Sequence, residues 1–329
     1  NYFCFASELK AFYEILPNTS ADNLAVAYYL HLGYIPHPFT ILSQVKKFPA
    51  GHFAKVKNDN FELHQYHHFE VINNQNITYS QAREQVKIAI EKAVKGALVS
   101  DVNMGILLSG GIDSSLVASI AAKNQMNPIT AFTIEQKDKN LNEGEYASKI
   151  AKYLGINYKP LMVDYEFLTS NLDNVLMKMD EPLADSSFLV THAISAFASN
   201  DVKVALSGDG GDELFLGYGM YRWAKRLTNP VINNFKPFAS AIFKNIPSHK
   251  FNRWGQFFDI KDNLHSNIFS IENNYFNSWQ LKDLLNKDFQ LNFPNINIDD
   301  AILKQEWFDF NYYLPDDLLV KVDRASMAN

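Results

Sequence analysis

Leu107-Leu108-Ser109-Gly110-Gly111-Ile112-Asp113-Ser114-Ser115 is the stretch on which the reading of this chain turns. Before it, the apolar run Val102 to Leu108 has the character of a buried strand. After it, Ile112, Leu116, Val117 and Ile120 recur at helical spacing and predict one apolar face. The two glycines therefore occupy a strand-to-helix turn. Such a turn aims free backbone N–H groups and the positive end of the helix dipole at one point, which suits an anion. Gly110 and Gly111 let that anion come close to the backbone, and Ser109, Ser114 and Ser115 add hydroxyl donors. Asp113 is out of place beside an anion unless a divalent cation bridges the two.

The ordinary phosphate loop needs a Lys beside a Ser or Thr after its last glycine, and no Lys lies between residues 101 and 122. The stretch instead resembles the SGGxDS pyrophosphate loop of the ATP pyrophosphatase superfamily. Members of that group cleave ATP between the α- and β-phosphates, adenylylate a substrate and release pyrophosphate.

A second strand–glycine turn–helix unit follows at Leu206-Ser207-Gly208-Asp209-Gly210-Gly211-Asp212-Glu213-Leu214-Phe215. It carries three carboxylates, Asp209, Asp212 and Glu213. Mg²⁺ usually takes one or two protein carboxylates plus phosphate oxygens, so Asp212 can join Asp113 in holding it. Read alone, this stretch is equally an acidic, solvated turn; the first loop tips the reading toward function.

Strands and helices alternate from Val102 onward. Pro128–Glu135, Asn157–Val163 and Val202–Leu206 read as strands; Glu143–Leu154, Glu166–Met179 and Phe188–Ser199 read as helices. Such alternation predicts an α/β fold with a doubly wound parallel sheet, whose ligands bind beyond the carboxyl ends of the strands. Ser109 and Ser207 both stand at such ends. Before this region, Thr78 and Gln81 have capping-box spacing. The helix after them should bury Ala82, Val86, Ala89, Ile90, Ala93, Val94 and Ala97 on one face. Residues 228–300 carry no readable chemistry, and their aromatics read as packing.

Residues 1–70 read as a separate part, joined through a polar linker at 71–78 to a second domain over 79–329. Tyr2 to Ser7 predicts a strand entering a helix with Ser7 as cap, Asp22–Leu32 a helix, and Phe53–Lys57 with Phe61–Tyr66 two short strands. His64, His67 and His68 lack a completing ligand pattern and read as a solvated strand end. Cys4 reads as a small core residue. The single Cys fits a reducing cytoplasm. Net charge is −6 over 329 residues, which argues against nucleic-acid or anionic-membrane partners. No apolar run approaches the ~20 residues of a membrane span. The chain opens without Met and stops straight after an apparent helix, and it reads as an internal fragment.

The pair of loops together resembles glutamine-dependent asparagine synthetase of the B type. Phe5–Ala11 and Phe48–His52 resemble the end of that family's N-terminal-nucleophile glutaminase domain. Asp180–Ser187 and Leu314–Ala328 resemble its synthetase domain. The resemblance implies ATP and Mg²⁺ as cofactors, and aspartate with glutamine or ammonia as substrates. It implies that aspartate is amidated through β-aspartyl-AMP, with AMP and pyrophosphate released, and it leaves a homodimer open. Leu107 and Ile134 would contact adenosine through strand-end backbone. Ser109, Gly110, Gly111, Asp113 and Ser114 would hold pyrophosphate and Mg²⁺. Ser207 and Gly208 would line the nucleotide site, and Asp209 would help take a proton from the attacking ammonia. Lys321 and Arg324 would neutralise charge at the phosphates; read singly, either is equally a solvated basic helix end. Leu216 replaces a Gly common after the Phe of the second loop. The family's glutaminase nucleophile is an N-terminal Cys; Cys4 follows other residues and is not expected to replace it. Related enzymes acting on other carboxylates, such as β-lactam synthetases, peptide cyclases and surface-polysaccharide amidotransferases, are the first alternative. A nucleotide-binding protein without turnover is the second.

Overall fold

The computed structural model describes residues 3–16, 18–57, 60–71, 76–124, 129–136, 142–170, 172–219, 221–222, 238, 242, 275–276, 278–294, 296–298 and 300–329. The polar run 72–75 and most of the stretch 228–300 lie outside the described residues. The chain divides into two compact units. One comprises residues 72–179, 186–211 and 321–329, and the other residues 1–71, 180–185 and 212–320.

The first unit is built on four strands: β3 (Met104–Leu107), β4 (Thr130–Gln136), β5 (Asn157–Val163) and β6 (Val204–Leu206). All pair in parallel, in the order β5-β4-β3-β6. The chain thus winds one way from β3 and then returns to place β6 on its other side. In sheets of this kind ligands bind outside the carboxyl ends where that direction switches, here between β3 and β6. Helices α4 (Ile112–Asn124) and α5 (Gly144–Leu154) share a core with Ile106, Leu108, Ile129 and Ala131. Helix α8 (Ser187–Ala198) packs Ile194 and Ala198 against Phe132 in a separate core, with Leu107 and Ile134 beside it. Two cores on one sheet make the doubly wound arrangement that the alternation predicts. Gly105 is required where it stands, because a Cβ there would lie 2.6 Å from the ring of Phe132.

Several expectations need correction. On α4 the buried positions are Ser114, Ala118, Ile120 and Ala121, while Ile112 is 86% exposed and Leu116 is exposed as well. Ser114, Ala118 and Ala121 let the helix lie close to the sheet; Ile120 is buried and Val117 packs on the core as expected, while Ile112 and Leu116 turn outward. Helix α3 (Tyr79–Ala97) has its capping box, with Gln81 N–H donating to Thr78 Oγ1 at 3.3 Å and Thr78 N–H to Gln81 Oε1 at 3.0 Å. Its apolar face is not buried as a stripe. Only Ile90 and Val94 reach the core, and Val86, Ala89, Ala93 and Ala97 are exposed, because the helix meets the core through its C-terminal half. Of the helix expected over 166–179, Tyr165–Ser170 and Leu172–Leu176 are helical, residue 171 lies outside the described residues, and the helix ends at Leu176 rather than Met179.

In the second unit, residues 3–6 form no strand and Cys4 is exposed, so the core reading of that thiol is overturned. Among the described residues, no strand pairs with this stretch. Ser7 caps nothing. The short helix Lys10–Tyr13 is capped instead by Asp180, which accepts the N–H groups of Leu9 and of Lys10, the latter at 3.1 Å. Asp22 caps the helix Asn23–Leu32, accepting from Leu24 N–H at 2.8 Å. The hairpin β1 (His52–Lys57) and β2 (Asn60–Gln65) pairs antiparallel where expected. His67 and His68 are exposed beyond its end. Phe293 packs edge-on against Tyr28, Phe308 and Tyr312, so this described aromatic of the 228–300 stretch does serve as packing.

The chain then widens into a π-helix over Asp309–Leu318, with Pro315 inside it. Proline donates no N–H, and the wider register accommodates it. Asp309 is fully buried there, accepting from Tyr221 Oη at 2.5 Å and Gln305 Nε2 at 2.8 Å. Burial is the main cause that raises its carboxyl from 3.8 to about 7. The protonated form is therefore the one that folding favours. Its contribution is complete below about pH 4 and is lost as pH rises through about 7. The urea midpoint should fall over that window, and Asp309→Asn should flatten the fall; an unchanged slope in the variant would assign the effect to another group.

Candidate functional site

Residues Ile106 and Leu206 pair across β3 and β6, so the two glycine loops leave the sheet side by side from its carboxyl edge. In the first loop, Gly110 takes φ +85° and packs against the backbone of Glu143 and Ala147 at the start of α5, where a Cβ would meet atoms at 3.0–3.1 Å. Ser114 Oγ lies 2.9 Å from Ser109 Oγ and accepts the N–H of Ser109 at 3.2 Å. Ser109 Oγ in turn accepts Gly111 N–H at 3.2 Å. These bonds curl the loop over the first turn of α4, whose N–H groups have no partner within the helix. Ser109 and Gly111 are exposed and Ser114 is buried. Ser109 and Gly111 thus face outward while Ser114 holds the curl from beneath.

The second loop is fitted to the first through its missing side chains. A Cβ on Gly208 would lie 2.7 Å from the backbone N of Ser114. A Cβ on Gly211 would lie 2.6 Å from Cγ of Asp113 and within 3.0 Å of both its carboxylate oxygens. The Asp113 carboxylate therefore rests in a slot floored by Gly211. Gly210, at φ +89°, turns the chain between them, and Asp209 is exposed on that turn. Ser207 is half-buried. A half-buried carboxylate beside a helix N-terminus is a donor set suited to a divalent cation shared with phosphate oxygens.

Leu107 and Ile134 lie on the same side of the sheet, both half-buried against the Phe132 core. Leu108 N–H donates to Phe132 O at 2.9 Å, and Thr133 Oγ1 donates to Leu108 O at 2.7 Å. These bonds fix the strand ends that present the two residues. Lys321 and Arg324 lie on the helix Leu319–Met327 and group with the first loop and with residues 206–211 of the second. Lys321 is only 7% exposed, which removes the reading of it as a solvated helix end. Arg324 is half-buried, with its guanidinium on the neighbouring Asp323.

Asp212 begins the short helix Gly211–Phe215 and groups with the other unit, in which it is exposed. Its backbone carbonyl accepts Gly217 N–H at 2.9 Å, and a Cβ on Gly217 would fall 1.7 Å from Asp212 Oδ1. Glu213 is fully buried and accepts from Tyr218 Oη, whose phenol is held protonated by burial and by that carboxylate. The roles of Gly211, Gly217, Glu213 and Tyr218 were missed in the sequence, although the glycine spacing was a usable signal for the first two.

Leu216 adopts φ +58°, in the left-handed region. The departure from Gly at this position thus has a conformational cost. Leu216→Gly should raise stability by roughly 1 kcal/mol in urea denaturation; a loss of stability would mean that the side chain contributes more than the backbone conformation costs.

Among the described residues, no group of three or more His, Cys, Asp or Glu is placed to hold a metal ion, and no helix is long and apolar enough to cross a membrane. A family model described as asparagine synthase matches residues 85–329, and one described as glutamine amidotransferase domain matches residues 1–67. The chain belongs to the asparagine synthase family. Among relatives in that family, the putative glutamine-hydrolysing asparagine synthetase of Mycobacterium tuberculosis is 28% identical over 98% of this chain and 52% of its own length. Asparagine synthetase 1 of Bacillus subtilis is 26% identical over 99% of this chain and 53% of its own. The chain spans about half the length of these curated relatives. Among solved structures, an NH3-dependent NAD synthetase from Campylobacter jejuni aligns with 64% of the chain at 16% identity and a TM-score of 0.32.

Proposed function

We propose that the intact protein amidates aspartate to asparagine. ATP activates the β-carboxylate as β-aspartyl-AMP with release of pyrophosphate, and ammonia taken from glutamine displaces AMP. The observation that carries this reading is the seating of Asp113 between two glycine loops at the switch point of the sheet. We divide the chain into a glutaminase part over 1–70, a linker over 71–78 and a synthetase part over 79–329; the bounds of the two family matches support this.

In this reading Leu107 and Ile134 present strand-end backbone to adenosine. Ser109, Gly110, Gly111 and Ser114 offer hydroxyl and N–H donors to the departing pyrophosphate, while Ser207 and Gly208 wall the other side. Asp113 and Asp212 hold Mg²⁺, which supplies charge stabilisation at the phosphates when bound. Lys321 and Arg324 add positive charge there; the burial of Lys321 strengthens its field. Asp209, exposed at the turn, takes the proton that ammonia loses on attacking the acyl carbon. Fixing carboxylate and α-phosphate in line supplies proximity. The chemistry belongs in the cytoplasm, where a lone thiol is stable.

Full-length protein with ATP, Mg²⁺, aspartate and ammonium should yield AMP and pyrophosphate. Chromatography showing ADP and phosphate would rule the reaction class out. Aspartate assayed against other carboxylic acids separates this enzyme from the cyclising and polysaccharide-modifying relatives.

A further inference from the structure

Lys47 lies in the segment matched as glutamine amidotransferase, and Glu181 and Asp316 lie in the segment matched as asparagine synthase. All three belong to one compact unit. Lys47 Nζ is 2.7 Å from Glu181 Oε1 and 3.6 Å from Asp316 Oδ1, and it donates to the carbonyl of Ile35. The other oxygen of each acid holds the same amidotransferase segment. Glu181 Oε2 accepts Ile41 N–H at 3.2 Å. Asp316 Oδ2 accepts His37 N–H at 2.9 Å and lies 2.7 Å from His37 Nδ1. The side chains of Lys47, Glu181 and Asp316 are 17%, 10% and 5% exposed, and burial raises the Glu181 carboxyl.

A buried ion pair adds little net stability over an apolar pair of the same shape, so stability alone does not account for this one. Its geometry offers a different account. One ammonium is shared unequally by two acids, and each acid also grips backbone of the opposite segment. A small advance of Asp316 would draw Lys47 from Glu181 and shift the register of residues 35–47. Asp316 sits in the π-helix Asp309–Leu318, which passes without a break into the helix bearing Lys321 and Arg324.

We propose that Lys47 is a coupling residue: through Glu181 and Asp316 it ties the amidotransferase segment to the synthetase segment, so that ammonia is released in step with its use. This rests on the proposed function.

The test uses full-length protein and three variants. Lys47→Met removes the ammonium. Lys47→Met with Glu181→Gln removes it together with the charge of its nearer partner, while Asp316 keeps its contacts to His37. Lys47→Arg restores the cation. Glutamate and AMP are counted in one reaction with glutamine, and AMP is counted separately with ammonium. The wild-type protein should give about one glutamate per AMP, and both Met variants should raise that ratio about fivefold, a coupling of ordinary size. Ammonium-dependent AMP formation should hold within about twofold, since no reacting group has changed, and the Arg variant should restore the wild-type ratio. An unchanged ratio in folded Met variants would overturn the coupling. Wild-type protein that forms no AMP from aspartate would overturn the proposed function instead. The clamp is then judged by amide hydrogen exchange: faster exchange at His37 and Ile41 in Lys47→Met supports it, and unchanged exchange overturns it.

Discussion

Asp113→Asn and Asp212→Asn should each lower aspartate-dependent AMP formation by on the order of a hundredfold or more, because charge stabilisation at phosphates is worth several kcal/mol. The change keeps the shape of the side chain and removes its charge. Asp113 starts α4 beside Ser114 and against Gly211, so the amide fits the same slot. Asp212 is exposed at the start of its helix, so its substitution leaves the core untouched. Both folds should survive. Raising Mg²⁺ should recover part of the activity if the lost carboxylates bind it. Near-normal rates of pyrophosphate release in both variants would remove these residues from the metal site. A loss confined to Asp113→Asn would leave Asp212 as a turn residue.

Gly211→Ala should be nearly as damaging to the reaction and also costly to the fold. Its methyl would sit 2.6 Å from Cγ of Asp113, so either the carboxylate or the second loop must move. Overpacking of this kind typically costs about 1–3 kcal/mol. The informative comparison is a double-mutant cycle. In an Asp113→Ala background the slot is empty, and the added methyl should cost less than about 0.5 kcal/mol, as for sites that no longer touch. Gly219→Ala is the control, since no atom lies within 4 Å of its added methyl. Equal costs for Gly211→Ala in both backgrounds would show that Asp113 does not occupy the slot.

The strands and both glycine loops were legible because their signals are local. A β-strand run, a glycine turn and a helix cap each occupy a few consecutive residues, as at Thr78–Gln81 and Leu107–Ser115. Burial was less legible because it depends on what lies opposite. Ile112 and Leu116 have the right spacing for a buried face, yet α4 buries Ser114, Ala118 and Ala121 beside Ile120 and leaves those two outside. Cys4 sits in an apolar stretch that gains no strand partner among the described residues. Contacts of long sequence separation were not readable at all: Asp180 capping a helix at Leu9 and Lys10, or Glu181 holding Lys47, follow no periodicity. In the site, the spacing of Gly208, Gly210 and Gly211 announced a turn. That one of them exists to receive Asp113 required the geometry.

The unit that contains residues 1–71 also takes in residues 180–185 and 212–320. A ribosome delivers these pieces in order. At translation rates of about 5–20 residues per second, Lys47 leaves the ribosome roughly ten to fifty seconds before Asp316 does. For about the first half of that interval the helix at Lys10 lacks its Asp180 cap, and for nearly all of it Tyr28 lacks Phe293 and Phe308, which later join its core. The sheet-bearing unit, whose strands end at Leu206, has its sheet complete first. Assembly of the N-terminal segment thus waits for residues as far downstream as 320, and a nascent chain stalled before residue 316 should expose its aromatic residues to chaperones.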